Sequence, residues 1–329
     1  MSYPTIGGPA AEKKNTNVAH DVCVQSQIDR RNTITSGHRA CQGCGEALAA
    51  RCVLDAAYSA TNGNIVVVNA TGCLEVFSCV YPENAWNIPW LHSLFANAPS
   101  VASGVAAAMH VSGKSTRVIA QGGDGATTDI GMGALSGMFD RNDDVLYVCY
   151  DNQAYMNTGV QRSSSTPPMA RTATTFPVGS YLGNDAKSGK NLPEIAIAHN
   201  IPYVATASVA HVTDLEQKVM AAIHIRGARY IHVHVPCPLG WGIKTSETIK
   251  IARLAIDCGL FPLFEVVNGA MTTSFTIENL VPVEEYLKPQ RRFAHLFGKN
   301  AVPDAIAHIQ KLADENIKRY KLLGENAHE

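Results

Sequence analysis

The sequence predicts a doubly wound α/β fold with a mostly parallel β-sheet. Uninterrupted apolar runs, such as NIVVVNATG at 64–72, are typical of parallel strands that helices cover on both faces. These runs alternate with segments whose apolar residues recur at helical spacing. The chain also has 26 glycines and only 17% charged residues among its 329 positions, which indicates a well-buried fold and not a disordered chain.

The successive elements follow from these two periodicities. The alanine-rich segment at 46–60 predicts a helix before the first strand, and the small residues of 99–113 predict a helix that packs closely. A strand at 116–125 ends in a glycine turn. The remaining predictions, in chain order, are a helix at 127–143, a strand at 145–152, a helix at 194–201, a strand at 202–208, a helix at 211–227, a strand at 229–238 and a helix at 304–323.

The same patterns divide the chain into three regions. Residues 1–36 are polar and predict an extended N-terminal arm, whereas residues 37–242 carry the α/β domain. Residues 243–329 lose the strand–helix alternation and predict a C-terminal extension that contacts other subunits. Within the domain, 157–193 is a long loop rich in Ser, Thr, Pro and Gly, and loops of that length are usually functional.

Charge and hydropathy exclude several classes of function. With 27 basic and 28 acidic residues the formal net charge is −1, which argues against nucleic-acid binding. No apolar run approaches the roughly 18 residues of a membrane span, and the first residues lack the apolar core of a secretion signal. We therefore expect a cytoplasmic protein. In that reducing compartment its nine cysteines are expected to bind metal or to be small core side chains.

A first candidate site lies in the segment GDGATTDIGMGALSGMFDRNDDVLYVCYDN at 123–152. Asp124 follows one predicted strand in a glycine turn, and Asn152 follows the next strand, so both are expected at one edge of the sheet. Gly123 and Gly125 allow backbone amides to approach a diphosphate, and the two polar side chains offer the oxygen ligands that Mg²⁺ prefers. A plain Gly-Asp-Gly turn with an unrelated loop asparagine is the competing interpretation.

A second candidate site is formed by cysteines. Cys41 and Cys44 make a CxxC pair just before a helix, whose N-terminus favours thiolates. Cys73 and Cys237 each follow a predicted strand, so all four sulfurs can meet at the same sheet edge. Four thiolates hold a [4Fe–4S] cluster or a structural Zn²⁺, and a redox-active CxxC is a third alternative. The cysteines expected to be inert are Cys23, Cys52, Cys79, Cys149 and Cys258.

The first of these segments resembles the thiamine diphosphate motif, in which GDG is followed after a helix and a strand by Asn. The resemblance implies a thiamine diphosphate-binding fold. It also implies that the side chains of Asp124 and Asn152 and the carbonyl of Ala154 hold Mg²⁺. The diphosphate would then lie against Gly123, Gly125 and Ala126. A nicotinamide site is a weak competitor, because the glycines at 131, 133 and 137 are spaced GxGxxxG inside a helical pattern.

Taken together, the two sites resemble the β subunit of 2-oxoacid:ferredoxin oxidoreductases of the pyruvate:ferredoxin oxidoreductase type, with phenylglyoxylate and oxalate oxidoreductases among its relatives. The resemblance covers 37–242 in the correct order. The stretches that carry it are HRACQGCGE, ATGCLEVFSCVYPENAWNIPWLHSLFANAPSVASGV, GGDGATTDIGMGALSG, DNQAYMNTGVQRSSSTP and PCPLGW.

This resemblance implies roles for individual residues. Cys41, Cys44, Cys73 and Cys237 would ligate a [4Fe–4S] cluster. Glu46 and Cys73 would contact thiamine diphosphate, and Asn157 would reach toward the substrate, which makes Glu46 and Asn157 the catalytic candidates. The residues expected to wrap the diphosphate after Asn152 are Gln153, Ala154, Tyr155, Met156 and Asn157.

The resemblance also implies a reaction and partners. A 2-oxo acid would be oxidatively decarboxylated with coenzyme A to acyl-CoA, CO₂ and low-potential electrons. Pyruvate is the family default, and phenylglyoxylate or oxalate are alternatives. An α subunit would complete the thiamine site with the carboxylate that this chain lacks. Further partners would be γ and ferredoxin-like δ subunits and ferredoxin or another acceptor. The alternative function is a non-redox thiamine-dependent decarboxylase or carboligase subunit with a structural zinc.

Overall fold

The computed structural model describes residues 31–186, 188–273, 275–298 and 301–323. The strands in chain order are β1 (Ile65–Ala70), β2 (Trp90–Ser93), β3 (Arg117–Gly123), β4 (Val145–Asp151), β5 (Tyr203–Ser208), β6 (Arg229–His234), β7 (Phe264–Val267) and β8 (Ala270–Thr273). They form an eight-stranded sheet in the order β2-β1-β3-β4-β6-β5-β7-β8. The first six strands of that order pair in parallel, and β7 and β8 are antiparallel.

Helices cover both faces of this sheet. The helices are α1 (Gly45–Ala60), α2 (Cys73–Ser78), α3 (Ala98–Val111), α4 (Met132–Asp140), α5 (Leu192–Ala198), α6 (Val212–His224), α7 (Pro238–Trp241), α8 (Thr248–Asp257), α9 (Val283–Leu287) and α10 (Pro303–Tyr320). One face packs α1, α2 and α6, and the other packs α3, α4 and α5. The doubly wound α/β prediction is confirmed. In the described ranges, none of these helices has the length and apolarity that crossing a membrane requires.

The helix predicted at 127–143 differs from the observed structure. The chain after β3 first makes one π-helical turn, Gly125–Asp129, before α4 begins. The Thr127 and Thr128 hydroxyls donate to the carbonyls four residues earlier, at 2.7 and 2.9 Å, which favours this local turn. Sequence periodicity also missed the short elements α2, β2 and α7, because they are too brief to show a period.

The C-terminal extension is partly integrated into the sheet. Strands β7 and β8 form an antiparallel hairpin that pairs with β5, the last strand of the parallel part of the sheet, and the loss of alternation after 242 did not predict it. Helices α8, α9 and α10 enclose a third apolar cluster that also contains Trp241. The subunit contacts expected of this extension stay a prediction. The arm expected at 1–36 lies mostly outside the described residues, as does Cys23, although Ile34 is buried in the core.

Buried charges hold the amino ends of three neighbouring strands together. Arg117 begins β3, Arg229 begins β6, and both donate to Asp144, which immediately precedes β4. Arg229 is fully buried and Arg117 nearly so. Burial and the Arg117 charge lower the pKa of Arg229 to about 10. Burial alone would raise the pKa of Asp144, but Arg229, Arg226 and Arg117 together hold that pKa below its usual range.

We expect Asp144→Ala to lower the free energy of unfolding by about 2–3 kcal/mol at pH 7, because it leaves Arg229 buried without its carboxylate. The depressed pKa of Asp144 means that its contribution is present above the unfolded pKa and is lost as pH falls through the folded one. Urea unfolding of the full chain at several pH values measures both effects. The control is Asp143→Ala. Its partner Arg141 is exposed, so we expect the free energy of unfolding to fall by about 1 kcal/mol or less. Equal losses for the two variants would contradict the prediction.

Candidate functional site

Two adjoining clefts open where β1, β3, β4 and β6 end, at the carboxyl edge of the parallel sheet. The first cleft has a volume of about 350 Å³ and the second a volume of about 1240 Å³, and both volumes include space that is open to solvent. Four side chains line both clefts: Glu46, Cys73, Asn152 and Asn157. The other residues of the first cleft are Thr71, Gly72, Phe95, Gly123, Asp124, Gly125, Ala126, Ala154, Tyr155, Met156 and Thr158. The loops predicted to meet at this edge therefore do so.

Asp124 is buried at the end of β3, beside the end of β4. The parallel register that pairs Gly123 with Tyr150 puts the two strand ends side by side. The Ser163 hydroxyl donates to one oxygen of the Asp124 carboxylate. Burial, and then the neighbouring charge of Asp151, raise the pKa of Asp124 well above its usual range. A cation at this point would relieve that cost, because it would stabilise the ionised carboxylate.

Asn152 and Glu46 form a buried pair across the floor of the clefts. The amide nitrogen of Asn152 donates to Oε2 of Glu46 at 3.2 Å. The amide oxygen Oδ1 of Asn152 is buried without a hydrogen-bond partner among the described residues. Burial raises the pKa of Glu46 to about 7, although the bond from Asn152 opposes this shift. A buried acceptor without a donor is costly, so the Asn152 oxygen is suited to a ligand that the protein itself does not supply.

The turn after Asn152 approaches the glycine turn closely. The Tyr155 hydroxyl donates to the Gly125 carbonyl at 3.1 Å, and its ring would lie 2.3 Å from a Cβ added at Gly125. Gly125 is therefore required by packing. Of the residues at 153–157 that were predicted to wrap the diphosphate, only Gln153 does not line the first cleft. Its side chain accepts a hydrogen bond from Arg292 of the C-terminal extension instead.

These residues fit a magnesium–diphosphate site. The buried carboxylate of Asp124 and the unpartnered oxygen of Asn152 are hard oxygen donors. Within the described ranges, no three His, Cys, Asp or Glu side chains are grouped to hold a metal ion by themselves. Mg²⁺ does not need such a group, because it commonly takes one or two protein carboxylates and completes its shell with phosphate oxygens and water.

The four predicted ligand cysteines line the second cleft together. Cys44 caps the N-terminus of α1, where its sulfur accepts from the Ala47 amide at 3.4 Å. Cys237 caps α7 in the same way, Cys73 is the first residue of α2, and Cys41 is exposed beside them. The convergence of these loops is thus observed, with three of the sulfurs at helix N-termini.

The backbone amides at the N-terminus of α1 lower the pKa of Cys44, as expected, but larger effects oppose them. Burial, and then the nearby carboxylate of Glu46, raise the pKa of the Cys44 thiol to about 12, and the amide hydrogen bonds do not offset this. Burial and the same carboxylate raise the pKa of Cys73 further. These raised pKa values favour the neutral form of Cys44 and Cys73, and positive charge from a bound metal would favour their thiolates.

The remaining described cysteines occupy other environments. Cys52, Cys149 and Cys258 are buried in the apolar clusters, as expected of inert side chains. Cys79 lines the second cleft, and its sulfur lies 3.6 Å from the Ser78 hydroxyl. Its exclusion from the ligand set stays a prediction.

Sequence reasoning missed several residues that shape the site. Thr71 and Phe95 line the first cleft, and Ser163 contacts Asp124. Ser163 lies in the polar loop at 157–193, which was predicted to be functional because of its length. Arg292 gave no sequence signal, because it is one of many basic residues and lies far along the chain from the motif that it contacts.

Comparison with known proteins agrees with this geometry. Residues 70–233 match the family model described as "Thiamine pyrophosphate enzyme, C-terminal TPP binding domain". That range runs from the last residue of β1 into β6 and includes both Asp124 and Asn152. A 2-oxoglutarate:ferredoxin oxidoreductase from Magnetococcus marinus has a similar fold, with a TM-score of 0.54 and 18% identity over 70% of this chain and 82% of that chain.

Curated relatives are similar over almost their whole length. "Pyruvate synthase subunit PorB" of Methanosarcina barkeri is 50% identical over 90% of this chain and 99% of its own. The protein of the same name in Methanocaldococcus jannaschii is 45% identical over 91% and 98%. "Ketoisovalerate oxidoreductase subunit VorB" of Pyrococcus abyssi is 40% identical over 92% and 98%. The chain is therefore an enzyme subunit that belongs to the thiamine diphosphate-dependent β subunits of the 2-oxoacid:ferredoxin oxidoreductases.

Proposed function

We propose that this chain is the β subunit of a complex that oxidatively decarboxylates pyruvate with coenzyme A and passes the electrons to ferredoxin or another acceptor. The observation that carries the proposal is the junction of the two clefts. A site suited to a metal-bound diphosphate and a cleft lined by four cysteines share Glu46, Cys73, Asn152 and Asn157. Such a junction would place an electron acceptor directly beside the cofactor at which the 2-oxo acid reacts.

In this proposal the first cleft holds thiamine diphosphate. The Asp124 and Asn152 side chains and the Ala154 carbonyl hold Mg²⁺, and the diphosphate lies along Gly123, Gly125 and Ala126. Thiamine diphosphate supplies the nucleophilic carbon that makes loss of CO₂ from a 2-oxo acid feasible, and the protein supplies position and electrostatics. The unpartnered Asn152 oxygen and the buried Asp124 carboxylate support this assignment.

The second cleft would hold a [4Fe–4S] cluster through Cys41, Cys44, Cys73 and Cys237. A structural zinc needs four ligands within about 2.3 Å of a single point, whereas a cluster spreads its cysteines around a larger body. The four cysteines line one open cleft of about 1240 Å³, which has room for such a body. The non-redox alternative has no support from the relatives, whose names include an oxidoreductase subunit.

Glu46 and Asn157 have distinct proposed roles at the junction. Glu46 accepts from the Asn152 amide nitrogen, which orients the amide so that Oδ1 is free for the metal. Its own carboxyl, buried beside the cofactor, would contact the thiamine. Asn157 lines both clefts, so its amide would orient the 2-oxo acid between the diphosphate site and the cysteines. Tyr155 and Met156 would complete the wall around the diphosphate.

The complete active site would require partners. An α subunit would supply the carboxylate for the thiamine pyrimidine, and γ and ferredoxin-like δ subunits would carry electrons away. The relatives are named as subunits, and exposed apolar side chains near the first cleft support coverage by another chain. Leu94 precedes the cleft residue Phe95 in the chain and is 70% exposed, and Ile130, whose amide donates to the carbonyl of the cleft residue Gly125, is 51% exposed. We place the complex in the cytoplasm.

We expect Asp124→Ala to lose bound thiamine diphosphate and Mg²⁺, because it removes the only carboxylate assigned to the metal. Affinity for Mg²⁺ should fall by at least about 100-fold. Removal of a residue that only supports a metal ligand already costs up to about 100-fold, and Asp124 is itself an assigned ligand. Cofactor content of the purified complex and Mg²⁺ titration measure this loss. Asp140→Ala, on the exposed face of α4, is the matched control and should retain the cofactor. Retention of wild-type cofactor by Asp124→Ala would overturn the metal assignment.

Removal of a cluster ligand should lower the iron content and the absorbance of the complex by the share of one cluster. Complex purified without oxygen should absorb near ~400 nm, which is typical of Fe–S clusters, and the ferredoxin-like subunit would contribute to that absorbance. Cys44→Ala should therefore lose about four iron atoms per copy of this chain and the matching part of the absorbance. Cys79→Ala is the matched control, because Cys79 lines the same cleft without being an assigned ligand. Unchanged iron in Cys44→Ala, or one zinc per copy of this chain in the wild-type complex, would contradict the electron-transfer proposal.

The substrate is tested by a panel on the intact complex. Pyruvate, 2-oxoisovalerate, 2-oxoglutarate, phenylglyoxylate and oxalate should be compared with and without coenzyme A, with reduction of a viologen dye as the readout. We expect the highest kcat/KM for pyruvate and dependence of turnover on coenzyme A, in line with the relatives that are 45–50% identical. A preference for phenylglyoxylate or oxalate would instead assign the complex to an aryl or oxalate branch.

A further inference from the structure

The C-terminal extension reaches the metal-binding turn through one buried arginine. Arg292 lies between α9 and α10, and it is only 5% exposed. Its guanidinium donates to Oε1 of Gln153 at 2.6 Å and to Oε1 of Gln290 at 2.8 Å. The same group lies over the Trp241 ring, 3.8 Å from its centroid. A buried cation in several simultaneous contacts is held rigidly, so it can hold its partners rigidly in turn.

The residue that Arg292 holds is conformationally strained. Gln153 has φ of +67°, in the left-handed region that favours glycine, and such positions persist only where surrounding contacts determine them. Three contacts do so here. The Gln153 amide donates to Asp151 at 2.9 Å, its carbonyl accepts from Thr166 at 2.7 Å, and its side chain accepts from Arg292.

This strained residue separates the two proposed metal ligands of the turn. Asn152 offers its side-chain oxygen and Ala154 its carbonyl, so the backbone at Gln153 decides whether both face the same point. Trp241, stacked under Arg292, adds a second contact, because its indole nitrogen donates to the Asn152 carbonyl at 2.8 Å. Arg292 thus contacts the Gln153 side chain directly and the Asn152 carbonyl indirectly, through Trp241.

We propose that Arg292 is a positioning residue for the magnesium–thiamine diphosphate site, acting through Gln153 and Trp241. The proposal rests on the function proposed above. It assigns to the C-terminal extension a part in cofactor binding that the sequence motifs in 37–242 do not contain. Neither Arg292 nor Gln153 lines the first cleft, so the effect of Arg292 on the ligands is indirect.

The test is Mg²⁺ affinity, measured on the intact complex after removal of metal and at saturating thiamine diphosphate. Arg292→Met keeps an unbranched, though shorter, side chain and removes its donors and charge. We expect this variant to weaken Mg²⁺ binding by about 10- to 100-fold, the range found when partners behind metal ligands are removed. Arg291→Met, at the exposed neighbouring position, is the matched control and should bind as the wild type does.

A double-mutant cycle separates positioning from general destabilisation. Gln153→Met removes the same hydrogen bond from the other side and should weaken Mg²⁺ binding by itself, which provides a test even where Arg292→Met does not fold. If Arg292 acts through Gln153, Arg292→Met should weaken Mg²⁺ binding much less in the Gln153→Met background than in the wild type, and the contact with Trp241 accounts for the remaining effect. The unfolding midpoint of the metal-free complexes and their iron content are recorded in parallel. Both should change far less than the Mg²⁺ affinity does.

The outcomes distinguish this proposal from the function on which it rests. Wild-type Mg²⁺ affinity in Arg292→Met, or fully additive effects of the two substitutions, would overturn the positioning role while the thiamine site stands. Failure of the wild-type complex to bind thiamine diphosphate, or undiminished binding by Asp124→Ala, would overturn the proposed function itself.

Discussion

The parallel pairing of β3 with β4 is the constraint on which the site depends. Parallel strands end at the same edge, so the register that pairs Gly123 with Tyr150 brings the Asp124 and Asn152 turns together although the whole of α4 separates them in the chain. The ends of β1 and β6 lie along the same edge and carry Cys73 and Cys237. One sheet edge therefore presents oxygen donors and sulfur donors side by side, without any long-range motif in the sequence.

Electrostatics explains why this edge suits positively charged cofactors. Asp124, Asp151 and Glu46 are all buried there, and burial raises the pKa of both Asp124 and Glu46. The neighbouring Cys44 and Cys73 thiols have raised pKa values for the same reason. Such an arrangement is costly for a protein that has to be stable alone. In the proposed assignment, Mg²⁺ and the iron atoms of a cluster would supply the missing positive charge, so cofactor loading and the stability of this edge should be linked.

The C-terminal extension shows that a site can depend on residues remote from its motifs. Arg292 reaches Gln153, and Thr248 at the start of α8 donates to the Gly43 carbonyl in the CxxC loop at 2.6 Å. A Cβ at Gly43 would lie 2.1 Å from the Thr245 carbonyl, so the CxxC loop and the extension are in close contact. The extension therefore contacts both the turn after Asn152 and the CxxC loop.

The sequence by itself determined the fold class, the Asp124–Asn152 pair and the four converging cysteines, because strand–helix alternation and motif spacing are local properties. It also carried the family resemblance that the relatives confirm. Only the tertiary structure decided the π-helical turn after Asp124, the raised pKa of the Cys44 thiol and the contacts of Ser163, Trp241 and Arg292. Those features arise from burial and from contacts between side chains that are far apart in the chain, and a local sequence pattern does not predict such contacts.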